Sequence, residues 1–225
     1  MDKWSLTPWD MSSLEGKYGQ VIENGPCARV KNGICQEWVP GYGWYWCRWI
    51  EDDMLDPIYF RFKSKEFIES QIKKIEKAFS EKLSGQFELA VQIATECHKG
   101  QKDKAGVDYI HHPLKVSELC THEISKCVAV LHDVMEDCGV TYNELLDKGV
   151  ISEIVWRVCQ LTHQKEDTYK DYIEKISLDP VAREVKIADL THNIDISRIP
   201  KPTEADFKRI EKYKKALDFL KSVNY

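Results

Sequence analysis

The chain has 225 residues, a hydrophobic fraction of 43% and a formal net charge of −5. This length and hydrophobic fraction suffice for one generous domain, or for one domain with an appendage. The net charge is mildly negative, and the sequence contains no long run of charges of one sign. Lysine-rich segments such as SQIKKIEKAF are interleaved with acidic residues. Because nucleic-acid-binding domains present a basic surface, we expect no nucleic-acid partner.

We expect the protein to be cytoplasmic, without a membrane partner. No apolar run is long enough to span a membrane, and the segment MDKWSLTPWDMSSLEG lacks a basic start followed by an apolar stretch. The eight cysteines are scattered and form no Cys-X-X-Cys pair, so most are predicted to be reduced thiols packed as small apolar groups. A zinc site from Cys27, Cys35 and Cys47 is the alternative, although the spacing matches no usual zinc module.

Residues 1–63 are predicted to form a small Trp-rich antiparallel β region, whose role the pattern does not indicate. CARVKNGICQEWVP predicts a hairpin, because Asn32-Gly33 supplies the positive φ that a two-residue turn needs. WYWCRWI and DPIYFRF are further candidate strands. We interpret the aromatic residues as the core of this region. An exposed platform that stacks a base or contacts a partner is the alternative.

From residue 64 onward the apolar residues follow a helical period, so the fold is predicted to be mainly α. Residues 64–83 are predicted to form a connecting helix, with apolar side chains three and four apart at Phe67, Ile68, Ile72, Ile75 and Phe79. Residues 84–225 are predicted to form a helical domain. Its predicted helices are FELAVQIATEC, HPLKVSELC, SKCVAVLHDVMEDC, TYNELLDKG, SEIVWRVCQLT, TYKDYIEKIS, PVAREVKIADLTHN and DFKRIEKYKKALDFLKS.

The segment CVAVLHDVMEDCGV places a histidine and three carboxylates in a helix that its apolar residues predict to be buried. Residues four apart lie on one helix face, so His132 is aligned with Glu136, and Asp133 with Asp137. Burying unpaired charges is costly. A divalent cation would compensate, because it attracts carboxylates and accepts a neutral imidazole. A partly exposed face with salt bridges to Lys or Arg is the alternative.

Two further segments favour a metal centre. YIHHPL carries His111 and His112 before a proline, and KIADLTHN carries Asp189, His192 and Asn193 in an apolar helix. Taken singly, adjacent loop histidines are often exposed, and a lone helical aspartate is often a cap. Three such segments in one helical domain together indicate a metal site more strongly.

These segments resemble the hydrolase domain of RelA/SpoT-type enzymes, within the HD-domain phosphohydrolases. The resemblance covers roughly residues 84–221 and rests on CHKGQKDKAGVDYIHHPL, VAVLHDVMED, VCQLT, VKIADLTHN and RIEKYKKAL, in the family's order. It implies an HD-type helical bundle that hydrolyses a phosphorylated nucleotide, most specifically by removing 3′-pyrophosphate from a (p)ppGpp-like alarmone. The alternatives are another HD nucleotidase or phosphatase, for example one acting on NADPH, and a catalytically silent nucleotide-binding module. With no synthetase segment after the match, a stand-alone hydrolase is expected.

The resemblance implies roles only where the motifs match. The implied cofactor is Mn²⁺ or another divalent cation, and its implied ligands are His112, His132, Asp133 and Asp189. Glu136 and Asp137 match an acidic pair that would orient or deprotonate the attacking water. The implied substrate contacts are Lys102, Lys104, Tyr109, Asn193 and Tyr213. For the two tyrosines a packing role is the alternative, and His192 is expected to pack or to support a ligand through its other ring nitrogen.

The chain departs from the family pattern beside the proposed substrate contacts. Asp103 stands where the family usually has an arginine, so we expect one phosphate contact to be lost and a repelling charge to be added. Asp195 and Ile196 also differ from the family. None of these positions is a proposed metal ligand, so we still expect hydrolysis. The differences lie at substrate contacts, so the sequence does not identify the nucleotide that is hydrolysed.

Overall fold

In the computed structural model, the described residues are 18–21, 27–31, 34–41, 43–46 and 60–223. The described residues divide into two compact units, one before residue 82 and one from residue 82 onward. Helices make up most of the described part, which confirms the prediction of a mainly α fold. None of the helices described is long and apolar enough to cross a membrane. The predicted division into three parts stays a prediction, with boundaries at residues 1–63, 64–83 and 84–225.

The first unit contains an antiparallel sheet with strand order β4-β3-β2-β1-β5. Lys31 of β2 pairs with Ile34 of β3, which is the register of a two-residue hairpin. The turn residues Asn32 and Gly33, the tryptophan side chains before residue 50 and the side chains of Cys27, Cys35 and Cys47 lie outside the described part. The aromatic-core and zinc interpretations therefore stay predictions. The strands are β1 (Tyr18–Val21), β2 (Cys27–Lys31), β3 (Ile34–Val39), β4 (Gly43–Trp46) and β5 (Phe60–Lys63).

Helix α1 (Lys65–Leu83) follows the sheet directly. Of its predicted apolar face, Ile68 and Phe79 are buried, whereas Phe67 is exposed, so the buried stripe is narrower than the sequence predicts. The turn after β3 contacts this helix: the Gly41 N–H donates to Glu76 Oε1 at 3.0 Å. Gly41 has a φ of 76°, and a Cβ there would lie 3.1 Å from the Phe79 ring. Glycine is therefore favoured at this position by both backbone and packing.

The second unit is helical and is organised around α4, which contacts α2, α3, α7 and α9. Almost every residue of α4 is buried, including Val128, Ala129, Val130 and Leu131. A short 3-10 helix (Ile196–Arg198) connects the last two α-helices. The helices are α2 (Gln86–Cys97), α3 (His111–Glu118), α4 (Glu123–Leu131), α5 (Val134–Cys138), α6 (Tyr142–Asp147), α7 (Ser152–Leu161), α8 (Tyr169–Ser177), α9 (Pro180–Asn193) and α10 (Glu204–Ser222).

Local sequence signals explain where several of these helices begin. Thr141, Thr168 and Thr203 each form a capping box with an acidic residue three positions later, at the starts of α6, α8 and α10. Asp179 caps α9, and Pro180 occupies its first turn, where a missing N–H costs nothing. Each cap contributes about 1 kcal/mol. The Asp179 cap and Pro180 fix the start of α9, which carries Asp189.

Candidate metal centre

The His132-Asp133 pair lies at a break between two helices. The continuous helix predicted from CVAVLHDVMEDC is wrong at this point, because α4 ends at Leu131 and α5 begins at Val134. Successive side chains of a regular helix project about 100° apart. At this junction His132 Nε2 and Asp133 Oδ2 lie 3.0 Å apart. The Asp137 N–H still donates to the Asp133 carbonyl at 2.8 Å, which keeps the acidic pair one turn further on.

His112, His132 and Asp133 form a cluster that could bind a metal ion, with one ligand atom of each within 4.8 Å of the others. Asp189 approaches the same point from α9. Its Oδ1 lies 3.3 Å from His112 Nε2 and 3.7 Å from His132 Nε2. His112 Nε2 lies 3.6 Å from Asp133 Oδ2. Three separate segments, the start of α3, the α4–α5 junction and α9, therefore bring two imidazoles and two carboxylates together.

The donor set fits a divalent cation. His132 Nδ1 lies 2.7 Å from the Ala129 carbonyl, to which it must donate, so the neutral ring has a lone pair on Nε2. That Nε2 is buried and has no partner in hydrogen-bond geometry among the described residues. It faces carboxylate oxygens of Asp133 and Asp189, which are also acceptors. Acceptors that converge on one point require a cation or a proton between them.

The electrostatic potential at this point is negative, because two carboxylates lie close to His132. Burial lowers the pKa of His132, but the Asp133 and Asp189 carboxylates outweigh burial and raise that pKa to about 10. Burial also raises the pKa of Asp133, but His132 outweighs it and the pKa stays below its usual value. In the metal-free protein a proton therefore occupies the position that a cation would take.

Asp189 is held as a carboxylate by its neighbours. Lys186 Nζ donates to Oδ2 at 2.8 Å, and Asn193 Nδ2 donates to Oδ1 at 2.6 Å. Burial would raise the pKa of Asp189, but Lys186 and the two histidines hold it well below its usual range. In turn, burial would lower the pKa of Lys186, but Asp189 raises it well above its ordinary value. The ion pair is therefore intact at neutral pH.

Tyr109 contacts the cluster directly. Its hydroxyl donates to Asp133 Oδ2 at 2.7 Å, and its ring lies 4.9 Å from that of His98 and 5.6 Å from that of His112. Burial and the Asp133 charge raise the pKa of Tyr109 strongly, so the hydroxyl remains a donor. The sequence predicts a substrate contact here, and that role stays a prediction.

A cavity of about 570 Å³ lies over the cluster. It is lined by every substrate contact implied by the sequence, by the acidic pair, and by all the implied ligands except His132, which is buried beneath the cavity wall. The members of these sets that line it are Lys102, Lys104, Tyr109, His112, Asp133, Glu136, Asp137, Asp189, Asn193 and Tyr213. Residues that are up to 111 positions apart in sequence, from Lys102 to Tyr213, thus face one space.

The acidic pair lies at the wall of this cavity. Glu136 Oε2 accepts a hydrogen bond from the His163 backbone N–H at 3.2 Å, which orients that carboxylate. Partial burial and the negative charge of Asp133 raise the pKa of Asp137. A carboxylate whose pKa is raised is a stronger base once it is ionised.

Both predicted phosphate-binding lysines form ion pairs in this structure. Lys102 Nζ lies 2.6 Å from Asp108 Oδ1, and Lys104 Nζ lies 2.5 Å from Asp206 Oδ1. Each lysine side chain is more than half exposed, so a phosphate group can reach it. To bind phosphate as predicted, each lysine must contact the phosphate in addition to its carboxylate partner or instead of it.

Asp103, which the sequence predicts to add a charge that repels phosphate, is paired with groups of the protein itself, and its effect on substrate binding stays a prediction. Its Oδ1 accepts from the backbone N–H groups of Ala105 and Val107, each at 2.9 Å, and its Oδ2 lies 3.2 Å from Arg198 Nη2. Burial would raise the pKa of Asp103, but these backbone donors and Arg198 lower it. Its charge is therefore compensated within the protein. Asp195 similarly accepts from the Ser197 N–H at 3.0 Å at the start of the 3-10 helix.

Sequence reasoning missed several cavity residues. Lys186 could have been found, because it lies three positions before Asp189 on the same helix. Lys212 and Arg209 belong to the quoted motif RIEKYKKAL, but the motif does not indicate which basic side chains face the cavity. Arg198 had no sequence signal, since its position depends on the 3-10 helix. The charged and aromatic lining residues that were missed include Tyr169, Tyr172, Lys186, Arg198, Arg209 and Lys212.

No protein-family model matches the chain. The guanosine-3′,5′-bis(diphosphate) 3′-pyrophosphohydrolase MESH1 of Danio rerio is 30% identical over 138 residues, which is 55% of this chain and 75% of that protein. A GTP pyrophosphokinase of Streptomyces coelicolor is 32% identical over 138 residues, or 56% of this chain and 16% of that protein. The bifunctional (p)ppGpp synthase/hydrolase SpoT of Escherichia coli K12 is 28% identical over 140 residues, or 56% of this chain and 18% of that protein.

The matched segment thus covers only a small part of the bacterial relatives, 16% and 18% of their lengths. A solved structure described as a metazoan ortholog of SpoT that hydrolyses ppGpp aligns with a TM-score of 0.53 at 22% identity. That alignment covers 62% of this chain and 87% of the other, and it supports a shared fold. The expected family relationship is confirmed: the chain belongs to the HD-domain family that includes MESH1 and the (p)ppGpp hydrolase domains of SpoT and RelA type.

Proposed function

We propose that the protein is a metal-dependent hydrolase that removes 3′-pyrophosphate from a (p)ppGpp-like nucleotide. The observation that carries this proposal is the convergence of two imidazoles and two carboxylates, without a hydrogen-bond partner for His132 Nε2 among the described residues, beside a cavity of about 570 Å³. Family membership supports the same chemistry. A cavity of this size lies within the range of about 300–1,000 Å³ that is usual for small-ligand sites.

His112, His132, Asp133 and Asp189 would hold the cation, and mixed nitrogen and oxygen ligands suit manganese or iron. When bound, a divalent cation supplies Lewis-acid polarisation of a phosphoryl oxygen and acidifies water. Tyr109 and Lys186 would keep two of these carboxylates in place, through contacts to Asp133 Oδ2 and Asp189 Oδ2. The chain thus supplies both the ligands and the groups that orient them.

Glu136 and Asp137 would orient the attacking water and remove its proton. The hydrogen bond from the His163 N–H fixes one oxygen of Glu136, a residue that lines the cavity. The raised pKa of Asp137 makes its ionised carboxylate a stronger base than that of an ordinary aspartate. One carboxylate would therefore position the water while the other takes its proton.

Charge balance explains why a cation is needed for a polyanionic substrate. Among the described residues lining the cavity, six are Lys or Arg and six are Asp or Glu. Without a metal ion the walls have no net formal charge to attract a nucleotide polyphosphate. With a divalent ion they become positive, and Lys102 and Lys104 would contact phosphate as point charges. Tyr213 and Asn193 would contact the nucleoside part. A cytoplasmic location stays a prediction.

The test is a product assay with purified protein. Guanosine tetraphosphate, its adenosine analogue and NADPH are each incubated with the protein, with and without Mn²⁺, and pyrophosphate and phosphate are measured separately. The proposal expects Mn²⁺-dependent pyrophosphate release from guanosine tetraphosphate. Release of phosphate from NADPH alone would favour the alternative phosphatase. Tight nucleotide binding without any turnover would favour a silent binding module, and either result would refute the proposed function.

A further inference from the structure

His112 and His192 form an imidazole pair at the edge of the metal cluster. Their rings are nearly parallel, with an interplanar angle of 16° and centroids 4.9 Å apart, and they meet edge to edge with 2.7 Å between the Nδ1 atoms. At this distance one Nδ1 must donate a proton and the other must accept it. The pair alone can adopt either polarity, because each neutral imidazole can be a donor or an acceptor at Nδ1.

Arg198 decides the polarity of the pair. Its Nη1 lies 3.3 Å from His192 Nδ1 and 3.3 Å from the His192 carbonyl. A guanidinium group only donates hydrogen bonds, so His192 Nδ1 must be the acceptor. The lone pair of that nitrogen then lies between two donors, a close one on His112 and a more distant one on Arg198. Asp103 holds the other end of the guanidinium, with Oδ2 at 3.2 Å from Nη2.

The direction of this hydrogen bond also determines whether Nε2 of His112 carries a proton. If His112 Nδ1 carries the proton, the neutral ring has its lone pair on Nε2. That atom lies 3.3 Å from Asp189 Oδ1 and 3.6 Å from Asp133 Oδ2, at the point where the donor atoms converge. The opposite polarity would place a proton on Nε2 and prevent it from binding a cation.

We propose that His192 and Arg198 are positioning residues that hold His112 in the tautomer able to bind the metal ion. The inference rests on the proposed metal site. His132 receives the same support from the Ala129 carbonyl, which can only accept a hydrogen bond. At His112 an imidazole replaces the carbonyl, so a second residue is needed to fix the direction of the hydrogen bond. That residue is Arg198, which Asp103 connects to the loop after α2.

The test compares Mn²⁺ dissociation constants by calorimetry, without substrate, for the wild type and four variants. His192→Phe keeps a ring but removes the acceptor, and the expected loss of affinity is about 10- to 100-fold. His192→Asn places an amide oxygen near the position of Nδ1 and is expected to bind within about threefold of the wild type. Arg198→Met is expected to weaken binding about fivefold, since only part of the population then has the competent tautomer. His111→Asn removes an exposed neighbouring imidazole and is the matched control, expected to bind as the wild type does.

A second measurement needs no variant. Long-range ¹H–¹⁵N spectra of the metal-free wild type should show a proton on Nδ1 of His112 and none on Nδ1 of His192. The reverse pattern would refute the inference, as would wild-type Mn²⁺ affinity in a folded His192→Phe protein or an absence of Mn²⁺ binding to the wild type. Because no substrate is involved, wild-type protein that binds Mn²⁺ but hydrolyses nothing would refute the proposed function and leave the positioning role standing.

Discussion

Asp103 and Arg198, 95 positions apart in sequence, form an ion pair with 3.2 Å between Oδ2 and Nη2. This contact joins the loop between α2 and α3 to the 3-10 helix after α9, and both residues line the cavity. In sequence alone, an acidic side chain is unfavourable in a loop that is predicted to bind phosphate. In the structure it neutralises a cation, closes its own loop through two backbone N–H groups, and leaves the other end of Arg198 on His192.

Removing the Asp103 carboxylate should therefore weaken substrate binding. In Asp103→Ala the loop loses three hydrogen bonds, and we expect KM to rise about fivefold, equivalent to about 1 kcal/mol. Asp103→Asn keeps an oxygen for the Ala105 and Val107 N–H groups, so its KM should rise less. Steady-state kinetics at saturating Mn²⁺ measures both values. A lower KM in Asp103→Ala would show that the carboxylate repels the substrate, as the sequence suggested.

Mn²⁺ binding should depend on pH through His132. The pKa of about 10 means that Nε2 carries a proton at neutral pH in the metal-free protein, and a cation must displace it. Mn²⁺ affinity should therefore rise with pH by up to about tenfold per unit below pH 10, with close to one proton released per ion. Calorimetry in buffers of different ionisation enthalpy measures this release. Affinity that is independent of pH between 7 and 9 would rule out displacement of the His132 proton.

Lys186→Met should leave Asp189 as a buried carboxylate without its main cation. Breaking a buried ion pair by removing one partner costs about 3–5 kcal/mol, and the Lys186 side chain is only 14% exposed. Urea unfolding of the metal-free variant should show a loss in this range. Saturating Mn²⁺ should restore more stability to the variant than to the wild type, because the ion supplies the missing positive charge.

The matched control for this prediction is Lys214→Met. Lys214 pairs with Glu211 on the exposed side of α10, and its side chain is 54% exposed. Its loss should change the free energy of unfolding by no more than about 0.5 kcal/mol. Equal stability of the Lys186 and Lys214 variants would contradict the buried ion pair.

Tyr109→Phe distinguishes support of a metal ligand from substrate contact. The change removes the hydrogen bond to Asp133 Oδ2 but keeps the ring between His98 and His112. We expect Mn²⁺ affinity to fall about tenfold, while KM at saturating Mn²⁺ stays close to the wild-type value. The opposite result, a higher KM with unchanged Mn²⁺ affinity, would show that the hydroxyl contacts the substrate.

Local sequence patterns predict most of the helical unit, because its helices have local start signals and period-3.6 apolar faces. Thr141, Thr168 and Thr203 are examples, each followed three residues later by the acidic partner of a capping box. The metal-cluster residues were also predictable, since His112, His132-Asp133 and Asp189 each lie in a short, distinctive segment. The family relationship of the chain is confirmed, whereas the roles of these residues stay predictions.

Contacts between distant segments were not predictable. The break at His132-Asp133 lies inside a run whose apolar pattern is that of one continuous helix. The pairing of Lys104 with Asp206 depends on how α10 packs near the loop after α2. The tautomer of His112 depends on a hydrogen bond whose direction only Arg198 fixes. Each is a tertiary relationship that leaves no periodic signal in a single sequence.

The cluster around His132 and Asp133 is proposed to carry out metal-dependent hydrolysis. The most direct measurement is the rate of pyrophosphate release from guanosine tetraphosphate by the wild type, Asp133→Ala and Asp218→Asn, each with and without Mn²⁺. Asp218 is an exposed carboxylate on α10 and serves as the control. We predict release only with Mn²⁺, at equal rates in the wild type and Asp218→Asn, and at least about 100-fold slower in Asp133→Ala. Equal release by Asp133→Ala, or release by the wild type that does not depend on Mn²⁺, would contradict the account.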